Sequence, residues 1–150
     1  MTQETYSGGC QCGAVRYRIS GPITHTHLCH CRMCQKAAGN YFMPLGNVQK
    51  PDITVTRGQV SWFESSPDNR RGFCRNCGTP LIFDTVTAKH LNVTLGSLDA
   101  PADHKPKTQI GVESRYSWFG ELPDLPASDT SEDFSVVNCQ HPDRDTKHWP

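Results

Sequence analysis

Apolar and polar residues alternate along much of this chain with the period of two that belongs to strands. Residues 14–19 read Ala-Val-Arg-Tyr-Arg-Ile, which puts Val15, Tyr17 and Ile19 on an inward face and Arg16 and Arg18 on an outward one. In residues 91–95, Leu91, Val93 and Leu95 share one face while Asn92 and Thr94 share the other. Residues 41–45, 53–57, 60–64 and 81–86 have the same strand-like make-up, and residues 109–112 form a shorter candidate. Turn chemistry separates these stretches: Gly21-Pro22, Pro51-Asp52, Arg57-Gly58, Ser66-Pro67-Asp68-Asn69, Gly78-Thr79-Pro80 and Gly96. Residues 32–39 break the pattern, because Ala37-Ala38 followed by Gly39 predicts one or two helical turns with a glycine stop. Many short strands at even spacing predict an all-β domain of antiparallel strands, a sandwich or a small barrel-like fold.

The length of 150 residues suits one domain with a modest core. The patterned region closes near Leu122-Pro123-Asp124-Leu125-Pro126, which delimits a domain over residues 1–126. Residues 127–150 read as a polar tail, loosely ordered or packed on the domain, with Phe134-Ser135-Val136-Val137 its one apolar patch. Lysine plus arginine equals aspartate plus glutamate at 15 each, so charge gives no reason to expect a nucleic acid or an anionic membrane as partner. The first residues carry neither a basic n-region nor an apolar h-region, and no apolar run approaches the roughly 18 residues that span a bilayer. A cytoplasmic setting is expected, in which thiols stay reduced.

Cysteine spacing changes the picture. Seven of the eight cysteines are clustered: Cys10 and Cys12, then Cys29, Cys31 and Cys34, then Cys74 and Cys77. Thiolates this close in sequence repel one another unless a cation lies between them, and soft sulfur selects zinc, copper(I) or iron–sulfur clusters. Seven sulfurs exceed the four that one tetrahedral zinc accepts. Cys12 is followed by Gly13 and Cys77 by Gly78, and a glycine there permits a positive φ that turns backbone N–H groups toward the sulfurs. These two pairs together supply four ligands, Cys10, Cys12, Cys74 and Cys77, for a structural zinc. The central trio, Cys29, Cys31 and Cys34, has no such glycine and offers three thiolates, the pattern of a catalytic zinc with an open position. Left open beside this partition are a fourth ligand such as His30, an iron–sulfur cluster, and a disulfide framework. Cys139 stands alone as a free thiol, and His25 and His27 read as surface residues or as neighbours of the ligands.

A zinc held by three thiolates suits a soft guest, because an incoming thiol loses its proton on coordination. Carbon–sulfur bond formation between a thiol and a small aldehyde is natural chemistry for such a site, with metal-water hydrolysis as a second option. Arg32 and Lys36 lie next to the trio's cysteines and are placed to offset their negative charge, to hold a substrate carboxylate, or simply to meet solvent. Tyr41, Phe42, Trp62, Phe63, Trp118 and Phe119 are candidates for a pocket wall or for ordinary packing.

Three segments carry a family likeness: Gly8-Gly9-Cys10-Gln11-Cys12-Gly13-Ala14-Val15-Arg16-Tyr17, Cys29-His30-Cys31-Arg32-Met33-Cys34-Gln35-Lys36-Ala37-Ala38-Gly39 and Phe73-Cys74-Arg75-Asn76-Cys77-Gly78-Thr79-Pro80-Leu81. With Gly96-Ser97-Leu98-Asp99 and Leu122-Pro123, the chain over residues 7–126 resembles the glutathione-dependent formaldehyde-activating family. The resemblance implies a β-tent fold and two Zn2+ per chain, divided four and three over the same cysteines. It also implies a zinc-dependent carbon–sulfur lyase that condenses formaldehyde with glutathione, or a similar small thiol, to S-hydroxymethylglutathione. The alternative is a non-catalytic, zinc-stabilised binding module. Where family members often carry His-Ile-Trp, this chain has Gln109-Ile110-Gly111.

Overall fold

A computed structural model describes residues 3–130 and 137–148, so the apolar patch at Phe134 falls outside the described residues except for Val137. In chain order the elements are β1 (Tyr6–Gly9), β2 (Arg16–Ile19), β3 (Thr24–Cys29), helix α1 (Arg32–Ala38), β4 (Met43–Gln49), β5 (Ile53–Arg57), β6 (Ser61–Ser66), β7 (Asn69–Phe73), β8 (Pro80–Thr85), β9 (His90–Thr94) and β10 (Thr108–Ile110). Short 3-10 turns complete the chain, the longest over Ser117–Asp124.

The strands form two sheets, a small one in the order β1-β2-β5 and a large one in the order β10-β3-β4-β9-β8-β7-β6. The architecture is all-β, as the alternation predicts. The large sheet is open, with β10 and β6 at its edges, so the barrel-like alternative is not adopted. Among the described residues all strand pairings are antiparallel except β10 with β3, which run parallel. Helix α1 ends at Gly39, whose φ of 59° forms the left-handed cap expected from sequence.

Tyr17, Ile19, Val48, Leu81 and Val93 are fully buried and form the main core with Leu91, Leu95 and Leu98. Burying each such side chain contributes about 1.5–3 kcal/mol. Cys10 and Cys74 belong to this core, whereas Cys29 and Cys34 belong to a smaller second core with Met43 and Leu45. Each cysteine cluster is thus built into its own packed region.

One inward–outward assignment fails. Arg18 is exposed as expected, but Arg16 is buried. Its guanidinium forms a fork to Asp99 at 2.8 and 2.5 Å and a further contact to Asp145 at 2.9 Å. Paired carboxylates make this burial tolerable. Asp145 lies in the tail, where the His141 backbone N–H also donates to the Gln11 carbonyl at 2.7 Å. Arg57 reaches the Thr146 carbonyl and hydroxyl from β5. Among the described residues, no helix is long and apolar enough to cross a membrane.

Candidate metal centres

Two hairpin turns build the four-cysteine cluster. Cys10 and Cys12 lie between β1 and β2, Cys74 and Cys77 between β7 and β8. Because these hairpins belong to different sheets, the cluster joins the small sheet to the large one. Gly13 and Gly78 have φ of 76° and 79°, the left-handed conformation their positions call for. The Val15 N–H donates to Cys10 Sγ at 3.2 Å. Sulfur separations of 3.6 Å (Cys10 to Cys12) and 3.8 Å (Cys12 to Cys74) approach the edge of about 3.8 Å that four sulfurs at about 2.3 Å from a tetrahedral ion would have. The donor set therefore fits a zinc ion. Burial pushes the Cys10 thiol up to about 12. Burial also works to raise Cys77, yet hydrogen bonds from the Thr79 hydroxyl and from backbone N–H groups hold it down at about 6.

The central cluster is assembled differently. Cys29 is the last residue of β3, Cys31 caps α1, and Cys34 sits inside the helix. Their sulfurs lie within 4.8 Å of one another, and among the described residues this cluster consists of the three cysteines alone. Cys29 and Cys34 are buried and Cys31 is half-buried. The Cys34 N–H donates to Cys31 Sγ at 3.4 Å. A hydrogen bond from Cys29 holds the Cys34 thiol down at about 5 against burial, helped by the Arg71 guanidinium 3.6 Å away. The same bond, together with burial, drives the Cys29 thiol up. Three converging sulfurs with one already favouring the thiolate also suit a divalent ion.

His30 does not join them. It is fully buried, with Nε2 at 2.8 Å from Gln109 Oε1 and its ring packed against Phe119 and Phe42. Cys139 is exposed and outside both clusters, as are the exposed His25 and the buried His27, whose Nδ1 is 2.6 Å from the His25 carbonyl.

A family model described as glutathione-dependent formaldehyde-activating enzyme matches residues 5–114, a span that includes all seven clustered cysteines. The chain belongs to this family. An uncharacterized lyase of Schizosaccharomyces pombe is 32% identical over 85 residues, covering 57% of this chain and 61% of that protein. A Halomonas elongata protein that carries the family's name is 26% identical over 121 residues, 74% of this chain and 77% of its own length. A Fusarium vanettenii protein with the same designation is 30% identical, with 51% of this chain aligned to 45% of that one. A crystal structure of a Rhodobacter sphaeroides protein superposes with a TM-score of 0.56 at 20% identity, over 69% of this chain and 98% of the other, which supports the fold.

In this family member the surroundings of the central cluster include residues whose part the sequence did not reveal. Gln35 is buried, and its Nε2 donates to the carbonyls of His30 at 2.9 Å and Ser114 at 3.0 Å, so α1 is tied to the segment after β10. Gly111 has a φ of 65°, and a Cβ there would meet the Cys31 backbone nitrogen at 2.7 Å. No tryptophan fits at this close approach without moving Cys31. Arg32 and Lys36 line a groove of about 450 Å³ with Asn40, Tyr41 and Tyr116. Tyr116 stacks on Trp118 with centroids 5.0 Å apart, and Tyr41 meets both rings edge-on. Trp62 lies elsewhere, under the Arg70 guanidinium, and lines a separate groove of about 550 Å³.

Proposed function

We propose that this chain is a zinc-dependent carbon–sulfur lyase of the glutathione-dependent formaldehyde-activating type. Cys29, Cys31 and Cys34 hold the catalytic ion, and Cys10, Cys12, Cys74 and Cys77 hold a structural one, two Zn2+ per chain. The observation that carries the reading is the contrast in donor number: four sulfurs complete a tetrahedral shell, and three leave one position for a guest. When bound, the catalytic zinc supplies a Lewis acid that favours the thiolate form of a coordinated thiol. The overall reaction joins the thiol sulfur to the aldehyde carbon, and the carbonyl oxygen gains a proton to become the hydroxyl of S-hydroxymethylglutathione. The chain's own groups position the partners. Arg32 and Lys36, on the groove beside α1, carry the charge to receive the carboxylates of a glutathione-like thiol. Gln35 holds the helix, and with it Cys34, against the loop after β10. The catalytic unit is assigned to residues 1–126, and residues 127–150 to a polar tail whose described part meets the domain through His141, Asp145 and Thr146. A cytoplasmic setting suits a reaction that needs reduced glutathione.

The test follows isotopically labelled formaldehyde and glutathione by NMR. Zinc-loaded protein is expected to bring the hemithioacetal to equilibrium faster than the uncatalysed reaction. No acceleration with glutathione or other small thiols, from protein carrying two zinc ions, would favour the zinc-stabilised binding module instead.

A further inference from the structure

Arg71 is a buried cation that no carboxylate pairs among the described residues. It leaves the middle of β7 and has 8% of its surface exposed. Its Nη2 lies 3.6 Å from Cys34 Sγ and its Nη1 3.7 Å from the Met43 sulfur. Its Nε donates to Ser65 Oγ at 3.0 Å, and the guanidinium carbon sits 4.8 Å over the Phe83 ring. The ion pairs among the described residues engage Arg16, Arg18, Lys50 and Arg70, and Arg71 is not among them. A guanidinium keeps its charge at any relevant pH, and a charge removed from water is costly unless an opposite one faces it. Of the described groups that Arg71 touches, only the cysteine cluster has a negative charge to offer.

The charges match. Three thiolates around a divalent ion leave one excess negative charge, which a single guanidinium cancels. The four-cysteine cluster is served instead by backbone N–H groups and the Thr79 hydroxyl. We propose that Arg71 is the built-in counter-charge of the Cys29–Cys31–Cys34 centre, fixed there by Ser65 and Phe83, and that it sets how tightly this centre keeps its ion. The inference rests on the reading that these three cysteines hold a divalent metal. Arg71 acts through Cys34 and is thus a positioning residue. Its neighbour Arg70 points to the opposite face of β7, to Asp84 and Trp62, and provides an internal control.

The experiment titrates zinc, and cobalt as its spectroscopic substitute, into wild-type, R71Q and R71K protein against a chromophoric chelator. In R71Q the affinity of the weaker site is expected to fall about 10- to 100-fold, the usual loss when a residue that supports a metal ligand is removed. The tighter, four-cysteine site is expected to keep its affinity. R71K retains the charge while losing the planar fork, so it is expected to recover most of the loss. Equal affinities in R71Q and wild type would overturn the assignment. So would equal losses in R71Q and R71K, which would mark a packing role in place of charge. If R71Q does not fold, R71K decides alone: a loss below about 10-fold supports charge balance, and a loss of about 10-fold or more with the cation present overturns it. Wild-type protein that takes up a single metal overturns the central centre itself, and this inference with it. Two metals with no response to R71Q overturns the inference only.

Discussion

The two cysteine clusters are made of the same side chain and are assembled in different ways. The four-cysteine cluster draws on two hairpin turns from two sheets, sits against the main core, and completes its own shell. The central cluster draws on one short stretch where a strand becomes a helix, sits in a small core of its own, and stops at three. Removing the first is expected to weaken the junction of the two sheets, which the shared core and the Arg16–Asp99 fork also hold, whereas removing the second leaves that junction in place. Their electrostatic support differs in the same sense. Backbone N–H groups and a hydroxyl surround the closed cluster, and a buried guanidinium faces the incomplete one. In the proposed division, ligand number and wiring into the fold, rather than cysteine chemistry as such, separate a structural site from a reactive one.

The largest expected effect comes from Cys77→Ser. Metal-binding free energy at a structural site is folding free energy, on the order of 10 kcal/mol in small zinc domains. The variant is expected to yield no folded protein by circular dichroism. Cys31→Ser should come next: the far-UV spectrum and one bound metal survive, while the second metal and the hemithioacetal-forming activity are lost. Equal loss of soluble protein in both variants would erase the distinction between the clusters.

The smallest effect tests the tie between the tail and the small sheet. Burial works to raise Asp99 and Asp145, but Arg16 holds both carboxyls below the ordinary carboxylate range. A depressed folded-state value adds stability above the unfolded value of about 3.9, and that stability is lost as pH falls through the folded value. Asp145→Asn should therefore cost up to about 1 kcal/mol at neutral pH, since its side chain is 41% exposed. The difference from wild type should shrink toward zero as pH falls past the unfolded carboxylate value and through the depressed folded one, as thermal melts across pH will read directly.

Much of this was legible in the sequence because the signals are local. Alternation marked β5 and β9, Gly39 marked the end of α1, and cysteine spacing with Gly13 and Gly78 separated the two clusters. What stayed hidden depends on partners far along the chain. Arg16 reads as outward until Asp99 and Asp145 approach it from 83 and 129 positions away. Arg71 reads as an ordinary strand cation until folding sets it against Cys34, 37 positions earlier. β1 and β7 lack apolar alternation, with Ser-Gly-Gly in one and Asn-Arg-Arg-Gly in the other, and are held by pairing to β2 and β8. The parallel β10 follows from its docking beside β3, which no short-range pattern records.

The central claim is the division of seven sulfurs into a closed four and an open three. Anomalous diffraction at the zinc edge tests it most directly. The account predicts two peaks per chain, one surrounded by Cys10, Cys12, Cys74 and Cys77, the other by Cys29, Cys31 and Cys34 with a solvent or thiol ligand in the fourth place. A single peak, or a fourth protein side chain on the second ion, would contradict it.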